Sequence, residues 1–101
     1  MPTTPEGKVK RAVRGILERH GVYYYMPVPT GYGSRTVDFI GCSKGRFFAI
    51  ETKKDGGKPT LAQDITLGRI QEAGGEVFVI AGEKSPLLDD LDKWLWGEGQ
   101  L

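Results

Sequence analysis

Hydrophobic and polar positions follow two different periods along the chain, and together they predict three helices and four strands. Near the start, apolar residues recur every three or four positions, which is the spacing of an amphipathic helix. They are Val9, Ala12, Val13, Ile16 and Leu17. The pattern predicts a helix from Pro5 to His20, with Thr4 as its N-cap and Gly21 as a left-handed C-cap.

Three segments rich in aromatic and β-branched residues come next, and such residues favour strands. The segments are Val22–Met26, Thr36–Ile40 and Phe47–Lys53. A Ser-Lys-Gly cluster at 43–45 can turn the chain between the last two. The sequence therefore predicts a β-hairpin, with residues 43–46 as its loop.

Loop breakers and a second helical signal organise the rest of the chain. After a Gly-rich loop, Thr60 and Gln63 have the spacing of a capping box, which predicts a helix that continues to about Ala73. The apolar run Glu76–Ala81 predicts a buried strand parallel to the preceding one, and Ser85 can cap a third helix that begins at the next residue. The order αβββαβα predicts an α/β fold in which helices flank a mixed central sheet.

The register of the predicted hairpin brings charged residues together inside apolar strands. With a four-residue loop, Cys42 pairs with Phe47, and counting back places Asp38 directly opposite Glu51. Lys53 lies two residues beyond Glu51 on the same face. Like charges across a ladder destabilise it, and a buried unpaired carboxylate is costly. A hard divalent cation, Mg²⁺ or Mn²⁺, suits such a set of oxygen ligands.

Composition and charge exclude several classes of protein. A chain of 101 residues, with 39% hydrophobic and 27% charged residues, is typical of one globular domain over residues 1–101. No apolar run approaches the length of a membrane span, the N-terminus lacks the apolar core of a signal peptide, and the one cysteine has no disulfide partner. We expect a cytoplasmic protein, which for a viral source means the host cytoplasm.

The charged triplet and its context resemble a known nuclease superfamily. Asp38, Glu51 and Lys53 match the three positions of the PD-(D/E)xK motif, with Val37 in place of the usual proline. The wider arrangement, from Glu6 through the hairpin to a Gly-rich loop and a T-x-x-Q helix start, resembles the VRR-NUC (virus-type replication-repair nuclease) family. This resemblance implies a restriction-endonuclease-like core and a metal-dependent endodeoxyribonuclease.

The resemblance also implies roles for individual residues. Asp38, Glu51, the Thr52 carbonyl and Glu6 would hold one or two Mg²⁺ or Mn²⁺ ions, while Lys53 would position or deprotonate a water. Gln63 would assist as a catalytic residue. Glu6 and Gln63 each have a structural alternative, because an acidic residue in a first turn and a Gln in a capping box stabilise helices.

The net charge of +1 does not by itself indicate a nucleic-acid-binding protein. The distribution of the charges is a stronger indication of nucleic-acid binding, because several cations lie on the first helix and could face phosphates. Candidate DNA-binding residues are Lys8, Arg11, Arg35, Lys54 and Lys58.

Two non-catalytic functions compete with the nuclease. Residues 44–51 loosely resemble the RNP1 signature of an RNA-binding RRM domain, although the two positions that need stacking aromatics hold Arg46 and Glu51. The second alternative is a nuclease fold that binds DNA without metal.

Size predicts a homodimer acting on branched DNA, with four-way (Holliday) junctions as the first candidate. One small domain has little surface to hold a branched duplex, and a two-fold pair presents two opposed active sites. Candidate interface residues are Leu67 and Ile70 on the second helix, with Trp94 and Trp96 near the C-terminus. The alternative is that the tryptophans close the protein's own core.

Overall fold

The computed structural model describes residues 4–28 and 37–97, and these ranges contain three helices and four strands. The elements have the predicted order. Their bounds are α1 Pro5–His20, β1 Tyr23–Tyr25, β2 Phe39–Ser43, β3 Arg46–Lys53, α2 Leu61–Glu72, β4 Glu76–Ala81 and α3 Leu87–Trp96. The strand predicted from Thr36 begins instead at Phe39, and Thr36 lies outside the described residues.

Helix α1 has the predicted bounds because both of its caps form. The side-chain oxygen of Thr4 accepts a hydrogen bond from the amide of Gly7 at 3.0 Å. At the other end Gly21 has φ 65°, the left-handed conformation that glycine adopts without strain. Local chemistry is thus sufficient to set this helix.

The four strands form one sheet in the order β1-β2-β3-β4. The first two pairs are antiparallel, and β3 runs parallel to β4 through the α2 connection. The hairpin has the predicted register, with Cys42 opposite Phe47, but Ser43 also pairs with Arg46 and the loop is therefore two residues long. Both turn residues have positive φ, 54° and 80°, as a two-residue type I′ turn requires.

Helices cover both faces of this sheet. Helices α1 and α3 pack on one face, and α2 packs on the other. The larger core includes Val13, Leu17, Phe39, Phe48, Ile50, Phe78, Ile80 and Leu91. An RRM domain binds RNA on an open sheet face. The covered sheet therefore rules out the RRM alternative.

The predicted dimer surface on the second helix is wrong at Leu67, which is buried, whereas Ile70 is only partly buried and lines a groove. Leu67 is buried against Val37 and Ala49, and Ile70 packs against the same cluster. The apolar side chains that α2 exposes belong to other positions, Leu61 and Ile65.

Helix α3 begins slightly later than predicted. Pro86 is its N-cap, and Ser85 lies one residue further out, where its side-chain oxygen accepts a hydrogen bond from the Leu87 amide at 3.1 Å. Trp94 is buried and closes the protein's own core, which was the alternative to an interface role. Trp96 is exposed and contacts His20 edge-on, with 4.8 Å between ring centroids.

Within residues 4–28 and 37–97, no helix combines the length and the apolar character needed to cross a bilayer.

Candidate active site

Glu51 lies near the end of β3, beside the start of α2, and only 2% of the residue is exposed. Its Oε2 accepts a hydrogen bond from Gln63 Nε2 at 2.8 Å and lies 3.4 Å from Lys53 Nζ. Its Oε1 is buried and has no hydrogen-bond partner, and no other buried side-chain oxygen or nitrogen of the described ranges shares that condition. An unsatisfied buried acceptor costs about 1–3 kcal/mol. The fold therefore leaves this atom open to a proton or a cation.

Gln63 joins Glu51 to the first turn of α2 through the two ends of one amide. Its Oε1 accepts a hydrogen bond from Thr60 N at 2.9 Å, and Thr60 Oγ1 accepts one from Gln63 N at 3.2 Å, which completes the predicted capping box. Its Nε2 donates to Glu51. The sequence offered a cap and a catalytic role as alternatives. The cap forms, and the same amide also contacts Glu51, because it accepts at one atom and donates at the other. The catalytic role of Gln63 stays a prediction.

Thr52 fixes the position of Asp38. Its amide and its hydroxyl both donate hydrogen bonds to Asp38 Oδ2, at 2.8 Å and 2.6 Å. Lys10, from α1, places its Nζ 3.6 Å from the other oxygen, Oδ1. Because Oδ2 already accepts two hydrogen bonds, Oδ1 is the Asp38 oxygen with room for a further ligand.

The two carboxylates do not form the directly opposed cross-strand pair that the sequence predicts. The ladder ends at Phe39, so Asp38 lies one residue outside it. Val37 packs in the α2 layer and Phe39 in the α1 layer, whereas residues two apart on a regular strand share a face. The backbone therefore turns at Asp38, and the carboxylate meets Thr52 rather than facing Glu51.

The two carboxylates nevertheless interact through their charges. Burial raises the pKa of Glu51 to about 7, and the negative charge of Asp38 raises it in the same direction. Lys53 lowers this pKa, and Glu6 makes the smallest contribution, which raises it. Glu51 is therefore partly protonated at neutral pH, and its charged form is the one that a cation would stabilise.

The open oxygen atoms suit a hard cation such as Mg²⁺ or Mn²⁺. They are Asp38 Oδ1 and Glu51 Oε1. The Thr52 carbonyl points to the same side of β3 as its amide, which meets Asp38, because both groups of one strand residue face the same neighbour. Among the described residues, no three His, Cys, Asp or Glu side chains come together as a metal cluster, so Glu6 does not complete a group of three carboxylates. Two carboxylates, with water and phosphate oxygens as further ligands, are typical of Mg²⁺.

The predicted DNA-binding residues fall in three different places. Lys8 lies in a cleft that it shares with two acidic residues. Arg11 lines a separate groove along α1. Lys54 and Lys58 are exposed in the loop after β3, and Arg35 lies outside the described residues.

Sequence reasoning missed two contributors to the site, the ammonium of Lys10 and the hydroxyl of Thr52. A signal for Lys10 was available, because it follows Glu6 by one helical turn and therefore shares its face of α1. The side chain of Thr52 alternates to the face opposite Glu51, and nothing local indicates that Asp38 turns to meet it.

Comparison with known proteins identifies the family. No protein-family model matches the chain. A solved structure described as a VRR_NUC domain does match it, with a TM-score of 0.73 and 27% sequence identity, over 87% of this chain and 94% of the other. The chain is a VRR-NUC domain.

This VRR-NUC domain also resembles part of a larger protein. A probable plasmid replicative DNA helicase of Chlamydia psittaci is 38% identical to it over 68 residues, which is 67% of this chain. The match spans only 15% of the helicase. The predicted family and the restriction-endonuclease-like α/β fold are confirmed, and the VRR-NUC domain is a nuclease domain.

Proposed function

We propose that this VRR-NUC domain is a Mg²⁺- or Mn²⁺-dependent endodeoxyribonuclease that hydrolyses phosphodiester bonds in DNA. The observation that carries the proposal is the unpartnered, buried Glu51 Oε1, which lies in a site that also holds Asp38, Lys53 and Gln63. A buried carboxylate with an open oxygen and a neighbouring carboxylate has the chemistry of a cation site.

Asp38 Oδ1, Glu51 Oε1 and the Thr52 carbonyl would hold the cation. A divalent cation bound there supplies Lewis acidity toward the phosphate and lowers the pKa of a coordinated water. Thr52 keeps Asp38 in place through two hydrogen bonds, and Gln63 keeps Glu51 in place through one.

Lys53 supplies a cationic hydrogen-bond donor to the site. Its ammonium lies 3.4 Å from Glu51 Oε2, and its side chain is 16% exposed, so it is directed into the site and remains partly accessible. In this position it donates a hydrogen bond to a phosphate oxygen on which negative charge grows, or holds the attacking water.

The preferred substrate that we propose is branched DNA, with four-way junctions first, cut by a homodimer. The exposed apolar side chains beside one groove of about 790 Å³, which Ile70 also lines, are the surface that supports a two-fold contact, and they replace the buried Leu67. They are Phe47, Ile65 and the neighbouring Leu61. Contiguous exposed apolar surface is typical of protein interfaces.

Light scattering of the wild type and of Ile65→Glu tests the dimer. Val28→Glu is the matched control, because Val28 is a 75% exposed apolar residue outside that groove. We expect Ile65→Glu alone to shift the protein to a monomer. A monomeric wild type that makes paired nicks in junctions would refute the dimer.

Cleavage of labelled junctions, flaps, duplexes and single strands, with Mg²⁺, Mn²⁺ or EDTA, tests the activity. We expect cleavage with either metal, strongest on junctions, and none with EDTA or with Glu51→Gln. Binding of DNA without cleavage under every condition would instead support the alternative of a metal-free binding module.

A further inference from the structure

A groove of about 400 Å³ runs along α1 and carries mainly positive charge. We call it the α1 groove. Its lining includes Gly7, Lys10, Arg11, Arg14, Gly15 and Glu18. Three cations against one carboxylate make it a favourable surface for a polyanion.

The helix geometry arranges these residues in two adjacent rows. Lys10, Arg14 and Glu18 follow one another at intervals of four, and so do Gly7, Arg11 and Gly15. Gly7 and Gly15 lie at the two ends of the second row, and no side chain covers the helix backbone at these two positions.

Nothing in the fold requires glycine at position 15. A Cβ built at this position meets no atom within 4 Å, and glycine inside a helix is unfavourable relative to alanine. A polymer backbone that passes close to the helix would use the open space.

The single carboxylate of the α1 groove is paired with one of the groove's own cations, Arg14. Glu18 Oε2 accepts a hydrogen bond from Tyr24 OH at 2.6 Å and lies 3.4 Å from Arg14 Nε. Both contacts lower the pKa of Glu18, and the hydrogen bond from Tyr24 has the larger effect. Glu18 therefore stays ionised and offsets Arg14, and the lining keeps a net charge of +2, three cations minus one carboxylate.

Lys10 belongs both to the α1 groove and to the candidate active site. It lines the groove, and its Nζ lies 3.6 Å from Asp38 Oδ1, the oxygen left open for a cation. The Lys8 cleft is less suited to phosphates, because it also contains Asp55 and Glu83.

We propose that the α1 groove binds the sugar–phosphate backbone of the DNA strand leading to the scissile bond, and that Lys10 moves from Asp38 to a phosphate when DNA binds. The proposal rests on the proposed function in taking DNA as the ligand. When Lys10 moves, Asp38 Oδ1 is released. DNA binding and cation binding at Asp38 then strengthen each other.

Binding of fluorescent DNA, measured by anisotropy in EDTA over a range of salt concentrations, tests the groove without any cleavage. For Lys10→Gln/Arg11→Gln/Arg14→Gln we expect weaker binding and a salt dependence shallower by about two to three in log–log slope. Arg19→Gln is the matched control, since Arg19 lies on the same helix but pairs with Asp92 of α3. An unchanged slope in a triple variant with native circular dichroism overturns the proposal.

Gly15→Gln tests the groove without removing a charge. It should weaken DNA binding while leaving the fold intact, whereas Gly68→Gln on α2, where a Cβ also meets nothing within 4 Å, should bind DNA as the wild type does. This pair decides the matter even if the triple variant does not fold. Equal affinity of both variants and the wild type would contradict the groove.

Lys10→Gln tests whether the Lys10 ammonium competes with a cation for Asp38. Without DNA, the Mg²⁺ concentration that half-saturates the thermal shift should be roughly two- to fivefold lower than in the wild type, because the competing ammonium is gone. Lys10→Arg should retain DNA binding. An unchanged Mg²⁺ midpoint would refute the exchange.

These outcomes are separate from those of the cleavage assay. A wild type that cleaves DNA while the groove variants bind normally refutes only this inference. A wild type that binds through the groove but never cleaves refutes only the proposed function.

Discussion

The side-chain amide of Gln63 holds Glu51 at one end and the N-terminus of α2 at the other. Helix capping and the orientation of a buried carboxylate are thereby coupled. A shift of the first turn of α2 moves Gln63 Nε2, which donates the hydrogen bond to Glu51.

Gln63→Glu and Gln63→Ala separate the cap from the site. A carboxylate at this position still accepts from Thr60 N, so Gln63→Glu keeps the capping box, but it cannot donate to Glu51 and adds a like charge. We expect both variants to lose cleavage. Gln63→Ala should also lose about 1 kcal/mol of unfolding free energy through the cap. Urea denaturation near pH 5 and cleavage assays measure the two effects, and normal cleavage by Gln63→Glu would refute the orienting role.

Glu51 should make the stability of the metal-free protein depend on pH. Its folded pKa of about 7 lies above the ordinary value of 4.5. Below pH 4.5 both states are protonated. Between 4.5 and 7 the unfolded state loses the proton first, so stability falls by on the order of 3 kcal/mol and then stays constant.

Urea denaturation in EDTA near pH 5 and near pH 8 measures most of this loss. Glu51→Gln should show a smaller difference between the two pH values, while Glu72→Gln, an exposed carboxylate of α2, should behave as the wild type. Added Mg²⁺ should restore stability near pH 8 in the wild type but not in Glu51→Gln. Equal pH dependence in all three proteins would show that Glu51 titrates normally.

Thr52→Val should impair the site through Asp38. The hydroxyl is lost while the buried shape is nearly kept, and one hydrogen bond to a charged acceptor is worth about 1.5–3 kcal/mol. We expect lower stability and slower cleavage at saturating substrate. Thr52→Ser should recover most of both losses, because it restores the hydroxyl. Rescue of stability without rescue of cleavage would argue against this role.

Substitutions of the charged triplet should remove chemistry and leave the fold intact. Asp38→Asn and Glu51→Gln should show no detectable cleavage, and Lys53→Met should lower turnover by about 10²–10³-fold, the usual loss for one charge-stabilising donor. DNA binding in EDTA should stay near the wild-type level. Full activity of Glu51→Gln on a labelled junction would refute the proposed mechanism.

Some parts of the structure could be predicted because their causes lie close together in the chain. Thr4 and Gly21 set the ends of α1, and Thr60 with Gln63 sets the start of α2. The hairpin register follows in the same way from a short turn and the alternation of its strands.

Other parts depended on contacts between distant segments. Leu67 and Ile70 look no different from Leu61 and Ile65 by composition, because the apolar positions of α2 do not form one stripe. Which pair packs against the core depends on how α2 lies on the sheet.

The sequence by itself determined the elements, their order, the hairpin register and the presence of Asp38, Glu51 and Lys53 near one sheet end, because capping, turn geometry and side-chain alternation act over a few residues. Only the tertiary structure decided how those groups are used. The two hydrogen bonds from Thr52 and the approach of Lys10 from α1 join atoms that are 14 or more residues apart in sequence, and both reach Asp38, where the backbone turns. Such contacts are fixed by packing of the whole fold, since burial and charge pairing depend on neighbours in space.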